Sequence, residues 1–343
     1  MPVFASYEEF AASVSQTESC ALVIGNFDGV HRGHQALIAS ARERVGASGK
    51  VVAMTFAPHP ATVISPQSAP SLLLSARRKR ELLLLAGADF VIEQRFDAAF
   101  AQLTATEFVE RILLAGPKLR AVCVGHDFRF GRGRTGDGAL LAKILGESQG
   151  AQVTVLSAVS VTTPGSEQVT CSSTLIRRAL SDGDLDRAAL LLGRPAELEG
   201  TVVHGAGRGR TISVPTANLR CHSDVKLKPG VYAAWAEILT AAGSSFPSDI
   251  PMGEASHPAA VNVGYNPTFL GPSAFAAKEP PLSVEAHLLV GDGVELPSLY
   301  DRELRLCFVA RLRDERKFPS VVELVAQIRS DIATVRQLTG ERR

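Results

Sequence analysis

Residues 21–34 read ALVIGNFDGVHRGH. A short apolar run, the pattern of a strand buried on both faces, enters a glycine-punctuated turn and then a helical pattern. The turn holds Asn26, Phe27, Asp28 and two histidines, His31 and His34. Beyond it, residues 35–45 place Leu37, Ile38, Ala41 and Val45 on one helical face. A strand that delivers such a turn to a helix N-terminus opens a parallel α/β sheet, which takes its ligands at the carboxyl ends of its strands.

The alternation continues. Residues 51–56 read as a strand, 77–88 as a helix, 89–96 as a strand, 105–115 as a helix, 121–125 as a strand, 140–149 as a helix and 152–159 as a strand. This predicts an α/β domain with a parallel sheet and helices on both faces. Two helices, 174–180 and 184–193, end at GRP (193–195), and the pattern changes there. Short β runs follow: GTVVHG, GVYAAWAEI, AAVNVG, SVEAHLL and LRLCFVARL. Separated by Gly/Pro-rich loops, they predict a small closed β barrel. A terminal helix over 320–338 is expected to bury Val322, Leu324, Val325 and Ile328. The polar stretch 240–259 is expected to be an inserted loop. The domains expected are therefore 1–194 and 195–343, since 343 residues exceed what one core organises.

Bulk properties narrow the class. Net charge is +1, which argues against a nucleic-acid surface. The five cysteines are scattered with no CxxC pair, so reduced thiols are expected. No apolar run is long enough for a membrane span and the N-terminus lacks a signal-peptide core, so a cytoplasmic protein is expected, as a monomer or weak homo-oligomer.

The turn at 25–34 suits phosphate. Gly25, Gly29 and Gly33 let the backbone approach a ligand, and the following helix start adds a positive field. Imidazole N–H groups can stabilise charge developing on a nucleotide's α-phosphate. There is no GxxxxGK[ST] and no GxGxxG, and no further ligands lie close by for zinc. CSSTLIRRAL (171–180) opens a helix with Ser172, Ser173 and Thr174 and places Arg177 one turn in. That is either an anion site for a leaving pyrophosphate or a simple helix cap.

HRGH resembles the signature of the nucleotidyltransferase superfamily. GNFDGVHRGH, TFAPHP (55–60), VGHDFRFGRGRTGD (124–137) and SSTLIR together resemble the FMN adenylyltransferase module of the bifunctional bacterial riboflavin kinase/FAD synthetase family. The resemblance implies a Rossmann-like nucleotidyltransferase domain. It implies that Gly25, Asn26, Phe27, Asp28, Gly29, His31, His34, Ser172, Ser173, Thr174 and Arg177 handle ATP, with His31, His34 and Arg177 catalytic. Phe56, His59, Pro60, Asp127 and Phe130 would then hold FMN.

A second constellation lies at 200–219, GTVVHGAGRGRTISVPTANL. Gly205, Gly207, Arg208 and Gly209 can wrap phosphates, and Thr216 and Asn218 offer oxygens of the kind Mg²⁺ accepts. It can also be read as a glycine-rich hairpin loop. Glu285, a lone carboxylate in an apolar strand, is ordinarily a solvent-facing residue. RGRTISVPTANL, KPGVYAAW, VNVGYNPTF, VEAHLL and LRDERKFPSVVELVAQIRSD resemble the riboflavin kinase module of the same family. That resemblance implies a six-stranded barrel with a C-terminal helix, Mg²⁺–ATP held by Thr216 and Asn218, Glu285 as catalytic base beside riboflavin, and Arg313 as a further riboflavin contact.

The expected partners are therefore riboflavin, FMN, FAD, ATP, ADP and pyrophosphate, with Mg²⁺ and no tightly bound prosthetic group, nucleic acid or membrane. The chain departs from the family pattern at Ser213, at Asp301 in LYD and in HLLVGD (287–292). The expected function is riboflavin to FMN at the barrel and FMN to FAD at the N-terminal module; the departures bear on kinase efficiency, and the alternatives are an adenylyltransferase with a weakened kinase barrel or a non-catalytic flavin-binding or flavin-sensing protein.

Overall fold

A computed structural model describes residues 3–14, 19–205, 214–239, 256–265, 282–291, 296 and 298–340. The chain divides into two compact units. One comprises residues 1–70 and 76–172, the other 71–75 and 173–343.

The first unit runs β1 (Val3–Phe4), α1 (Tyr7–Ser13), β2 (Cys20–Ile24), α2 (Arg32–Val45), β3 (Lys50–Ala57), α3 (Pro60–Ile64), α4 (Ala76–Leu85), β4 (Phe90–Arg95), α5 (Ala98–Ala101), α6 (Ala105–Phe108), β5 (Leu119–Gly125), α7 (Gly138–Gln149) and β6 (Gln152–Leu156). Strands β1 to β6 form one sheet in the order β1-β4-β3-β2-β5-β6, with every pairing parallel. Every residue of β2 is buried, as its apolar run requires of a central strand. Helix α2 buries Leu37, Ile38, Ala41 and Val45, the face expected from the sequence, but begins at Arg32 rather than Gln35. The chain moves one way from β2 through β3 and β4, and the other way through β5 and β6. The order reverses between β2 and β5, and their carboxyl ends are where an open α/β sheet takes a ligand. Both GNFDGVHRGH and GHDFRFG follow those two strands.

Two local expectations change. The helix expected over 105–115 turns into a π-helix at Val109–Leu113, whose wider turn buries Val109 and Leu113 together. The strand expected over 152–159 ends at Leu156, and a small hairpin follows: β7 (Ser160–Thr162) and β8 (Gln168–Thr170). Its Ser/Thr-rich strands lack the apolar alternation that reveals a strand.

The second unit contains α8 (Ser173–Asp182), α9 (Leu185–Leu192), β9 (Glu197–Val203), β10 (Ala217–Cys221), β11 (Gly230–Leu239), β12 (Ser256–Tyr265), β13 (Leu282–Leu288), β14 (Glu303–Arg313) and α10 (Val321–Thr339). Strands β9 to β14 close an antiparallel barrel in the order β10-β13-β12-β11-β14-β9. The five runs read as strands are present, and ANLRC (217–221) supplies the sixth. Of the stretch 240–259, residues 240–255 lie outside the described residues, and 256–259 belong to β12. In α10 the expected apolar face is displaced: Val322 is 78% exposed, whereas Val335 is fully buried. The helix packs through its later turns, where Ile332 and Val335 meet Ala233, Ala260, Val309 and Leu312.

A buried ionic row crosses the barrel. Arg305 of β14 donates to Glu199 of β9 at 2.8 and 3.0 Å and to Glu237 of β11 at 3.1 Å. The strand registers place these residues opposite one another. The segment 71–75 is tied into the same unit. Ser75 Oγ donates to Glu199 at 2.7 Å, Leu72 N–H donates to Asp224 at 2.6 Å, and Leu73 and Leu74 are buried.

Candidate functional site

The turn after β2 is built from strained backbone. Phe27, Gly29 and Val30 have φ of 51°, 85° and 41°. For the two non-glycine residues this is a rarely occupied region, of the kind that clusters at functional sites. Gly25 N–H donates to the Met54 carbonyl at 3.1 Å and Val30 N–H to the Phe27 carbonyl at 3.1 Å. The Phe27 ring is fully buried, and a Cβ on Gly25 would lie 3.2 Å from it. Asp28 is buried too, whereas Asn26 faces solvent.

His31 is the N-cap of α2: its Nδ1 accepts the Gly33 N–H at 3.2 Å. In a neutral ring the proton is therefore on Nε2, which makes that nitrogen a donor. The His34 ring stacks on His31 with centroids 3.6 Å apart, and it meets the Phe27 ring edge-to-face with centroids 5.1 Å apart. Two imidazolium charges so close would repel by about 4 kcal/mol at an effective dielectric of ~20, which disfavours charging both rings at once. A Cβ on Gly33 would lie 3.1 Å from the His31 ring and 3.9 Å from Cys171 Cβ. Ser172, which follows Cys171, ends the first unit; Ser173, Thr174 and Arg177 lie on α8 of the second. Arg177 Nε donates to the Ser71 carbonyl at 2.6 Å.

The residues expected at FMN surround the ends of β3 and β5. His59 caps α3, its Nδ1 accepting the Ala61 N–H at 3.2 Å, and Pro60 is the first residue of that helix. Phe56 leads a run of rings through Phe100 and Phe108 to Phe130, which stacks on Phe128 at 5.4 Å. Phe130 is buried in the core, while Phe128 and Phe56 are half-buried and Asp127 is exposed. Phe128, not singled out by sequence, carries the stack towards the surface. Sequence also missed Lys79 on α4, whose Nζ donates to Thr55 Oγ1 at 2.9 Å. Burial pushes this lysine's pKa down, partly offset by the carboxylates of Glu93 and Asp28.

In the barrel, Glu285 lies directly between Asn218 on β10 and Asn262 on β12. Residues opposite one another in antiparallel strands project to the same side, so the three polar groups share one face. The flanking Val284 and Ala286 are buried on the other face. Asn262 Nδ2 donates to Glu315 at 3.1 Å. His287, two residues after Glu285, uses Nδ1 to donate to the Pro215 carbonyl at 2.7 Å, which fixes the chain beside Thr216. A Cβ on Gly205 would lie 2.2 Å from Asn218 Nδ2, so the missing side chain makes room for that amide. Thr216, Asn218 and Glu285 offer hydroxyl, amide and carboxylate oxygens, a hard donor set that fits Mg²⁺. Among the described residues no cluster of three His, Cys, Asp or Glu could hold a metal, so a cation here would share its ligands with phosphate oxygens. Gly207, Arg208, Gly209 and Ser213 lie outside the described residues. Arg313 ends β14 and is gripped by Asp331 of α10, with contacts of 3.1, 3.1 and 2.7 Å. Asp301 has φ of 60°, a conformation that glycine takes most easily.

Comparison with known proteins gives one account of both halves. Residues 13–174 match the FAD synthetase family and residues 192–339 the riboflavin kinase family. The bifunctional riboflavin kinase/FMN adenylyltransferase of Escherichia coli (strain K12) is 38% identical over 96% of this chain and 95% of its own. The protein of the same name from Pseudomonas fluorescens is 36% identical over 94% of this chain and 93% of its own. A crystal structure from Streptococcus pneumoniae, described as a macrolide-efflux protein, superposes with a TM-score of 0.75 and 27% identity, covering 97% of this chain and 98% of that one. Among the described residues, no helix of this chain is long and apolar enough to cross a membrane.

Proposed function

This chain belongs to the family of bifunctional riboflavin kinases/FMN adenylyltransferases, and we infer from its geometry how the two reactions divide between its parts. It uses ATP to phosphorylate riboflavin to FMN and then to adenylylate FMN to FAD. The functional division we assign is 1–194 for adenylyl transfer and 195–343 for the kinase, in a cytoplasmic enzyme. Two observations of geometry support it: the stacked histidine pair at the sheet's switch point and the Asn218–Glu285–Asn262 row on the barrel.

In adenylyl transfer a phosphate oxygen of FMN attacks the α-phosphorus of ATP, and the bond to the bridging oxygen breaks to release pyrophosphate. Charge grows on the α-phosphate oxygens. The His31 Nε2–H, His34 and the N-terminus of α2 are assigned to stabilise it. By their SSTLIR motif, Ser172, Ser173, Thr174 and Arg177 are assigned to the phosphates that leave. Phe56 and Phe128 are assigned to the flavin ring and His59, Pro60 and Asp127 to the rest of FMN, with Phe130 supporting them from the core.

In the kinase reaction a primary hydroxyl of riboflavin attacks the γ-phosphorus and ADP leaves. Glu285 takes the hydroxyl proton as the new bond forms. Asn218 and Thr216 hold the nucleotide. Mg²⁺, when bound with it, would neutralise phosphate charge. Arg313 and Glu315 border the same region of the barrel and are assigned to riboflavin.

The test is chromatographic. Purified protein with riboflavin and Mg²⁺–ATP should yield FMN and then FAD. FAD from supplied FMN without any FMN from riboflavin would refute the kinase assignment. Flavin binding without turnover would refute both.

A further inference from the structure

The phosphate-binding turn is held from beneath by a lysine. Thr55 on β3 is fully buried. Its Oγ1 donates to the Asn26 carbonyl at 3.1 Å and accepts from Lys79 Nζ at 2.9 Å. An ammonium can only donate, so the single hydroxyl proton is committed to Asn26 and the relay has one direction. Among the described residues, no carboxylate lies within 4.0 Å of the Lys79 ammonium; Glu93 pairs with Arg80 instead.

What the relay holds is the start of the strained turn. Phe27 follows Asn26 with φ of 51°, and such a conformation persists only where its surroundings over-determine it. The Gly25–Met54 and Phe27–Val30 hydrogen bonds fix either side. The Phe27 and His34 rings then meet edge-to-face with centroids 5.1 Å apart, and His34 stacks on His31. A continuous path runs from Lys79 through Thr55, Asn26 and Phe27 to the imidazole pair. We infer that Lys79 is a positioning residue for adenylyl transfer, acting through Thr55 on the Asn26–Phe27 backbone and so on the pose of His34. This rests on the reading that the histidine turn serves the nucleotide.

The experiment measures FAD formation from supplied FMN by the full-length protein, with its kinase activity as the control for folding. Thr55→Val keeps the shape and removes the hydroxyl; Lys79→Met removes the ammonium. Each should lower kcat roughly 10- to 100-fold, the scale of an ångström-sized misplacement, and leave the kinase unchanged. Thr55→Ser should restore most of the loss, which a packing role for the Thr55 methyl would not allow. The double variant Thr55→Val/Lys79→Met should be no slower than the slower single, because both cut one relay. Full kcat in either single variant, no rescue by serine, or multiplicative losses in the double would overturn the inference. His31→Ala, run alongside, separates the two failures. If it keeps FAD formation, the reading of the turn is wrong; if it loses FAD formation while Thr55→Val does not, only the relay is wrong.

Discussion

Gly205→Ala should disable the kinase through a single methyl group. The new Cβ would sit 2.2 Å from Asn218 Nδ2, 2.4 Å from Cγ and 2.7 Å from Oδ1. Ordinary contact begins near 3.4 Å, so the amide must retreat by about 1 Å. It is the end of a flexible side chain, so the move costs little stability. Its φ does not require glycine, so the backbone should tolerate alanine. The cost falls on position: an error of about 1 Å at a reacting centre reduces rate ~10²-fold, or about 2.7 kcal/mol of barrel-site transition-state stabilisation. The assay follows FMN formed from riboflavin, with FAD formed from supplied FMN as the internal control. The kinase should fall ~100-fold and the control should hold. In an Asn218→Ala background, Gly205→Ala should add nothing. Kinase turnover within a few-fold of the parent, with Asn218→Ala itself inactive, would refute the claim that Gly205 exists to seat that amide.

Other expected outcomes follow from the same geometry. Glu285→Gln should lower FMN formation by about 10²–10⁴-fold and spare FAD formation from FMN; a kinase rate near the parent's removes Glu285 as base. His31→Ala and His34→Ala should each reduce FAD formation by roughly 10²–10³-fold with the kinase intact, as read by the same chromatography. Burial lowers the Lys79 pKa, with Glu93 and Asp28 opposing and Arg80 reinforcing the shift. Its charge is therefore lost at a lower pH than an ordinary lysine's, so FAD formation should decline as pH rises through that range. Lys79→Arg, which stays charged, should move that limb to higher pH, and an unmoved limb would dissociate Lys79 from it. Ser75→Ala removes a donor to the buried Glu199 carboxylate, and thermal unfolding should report a loss of about 1–2 kcal/mol.

The sequence was most informative where function is contiguous. GNFDGVHRGH carries its strand, turn and helix start within a few residues, and its apolar run marks a central strand by itself. Only strand order shows that it shares the switch point with the turn after β5. Glu285 stood out as a carboxylate in an apolar run, but its flanking by Asn218 and Asn262 depends on registers among strands far apart in the chain. Lys79 is hidden for the same reason: inside RRKRELLLL nothing distinguishes it from its basic neighbours until α4 is laid beside Thr55. β10 is too short for alternation to announce it, and β7 and β8 are too polar. Val322 looked apolar and helical, which it is, but its turn of α10 has nothing to pack against among the core residues.

The tie between segment 71–75 and the barrel bears on how such a protein can be cut or copied. Ser75 and Glu199 are separated by 124 positions, and Leu72 and Asp224 by 152. During synthesis the segment emerges long before the strands it joins and must wait for them. A gene trimmed to begin at the barrel would encode every strand and still omit two of its buried leucines and a donor to its ionic row. Any lineage that separated the two enzymes would have had to replace those five residues or repack the surface they cover.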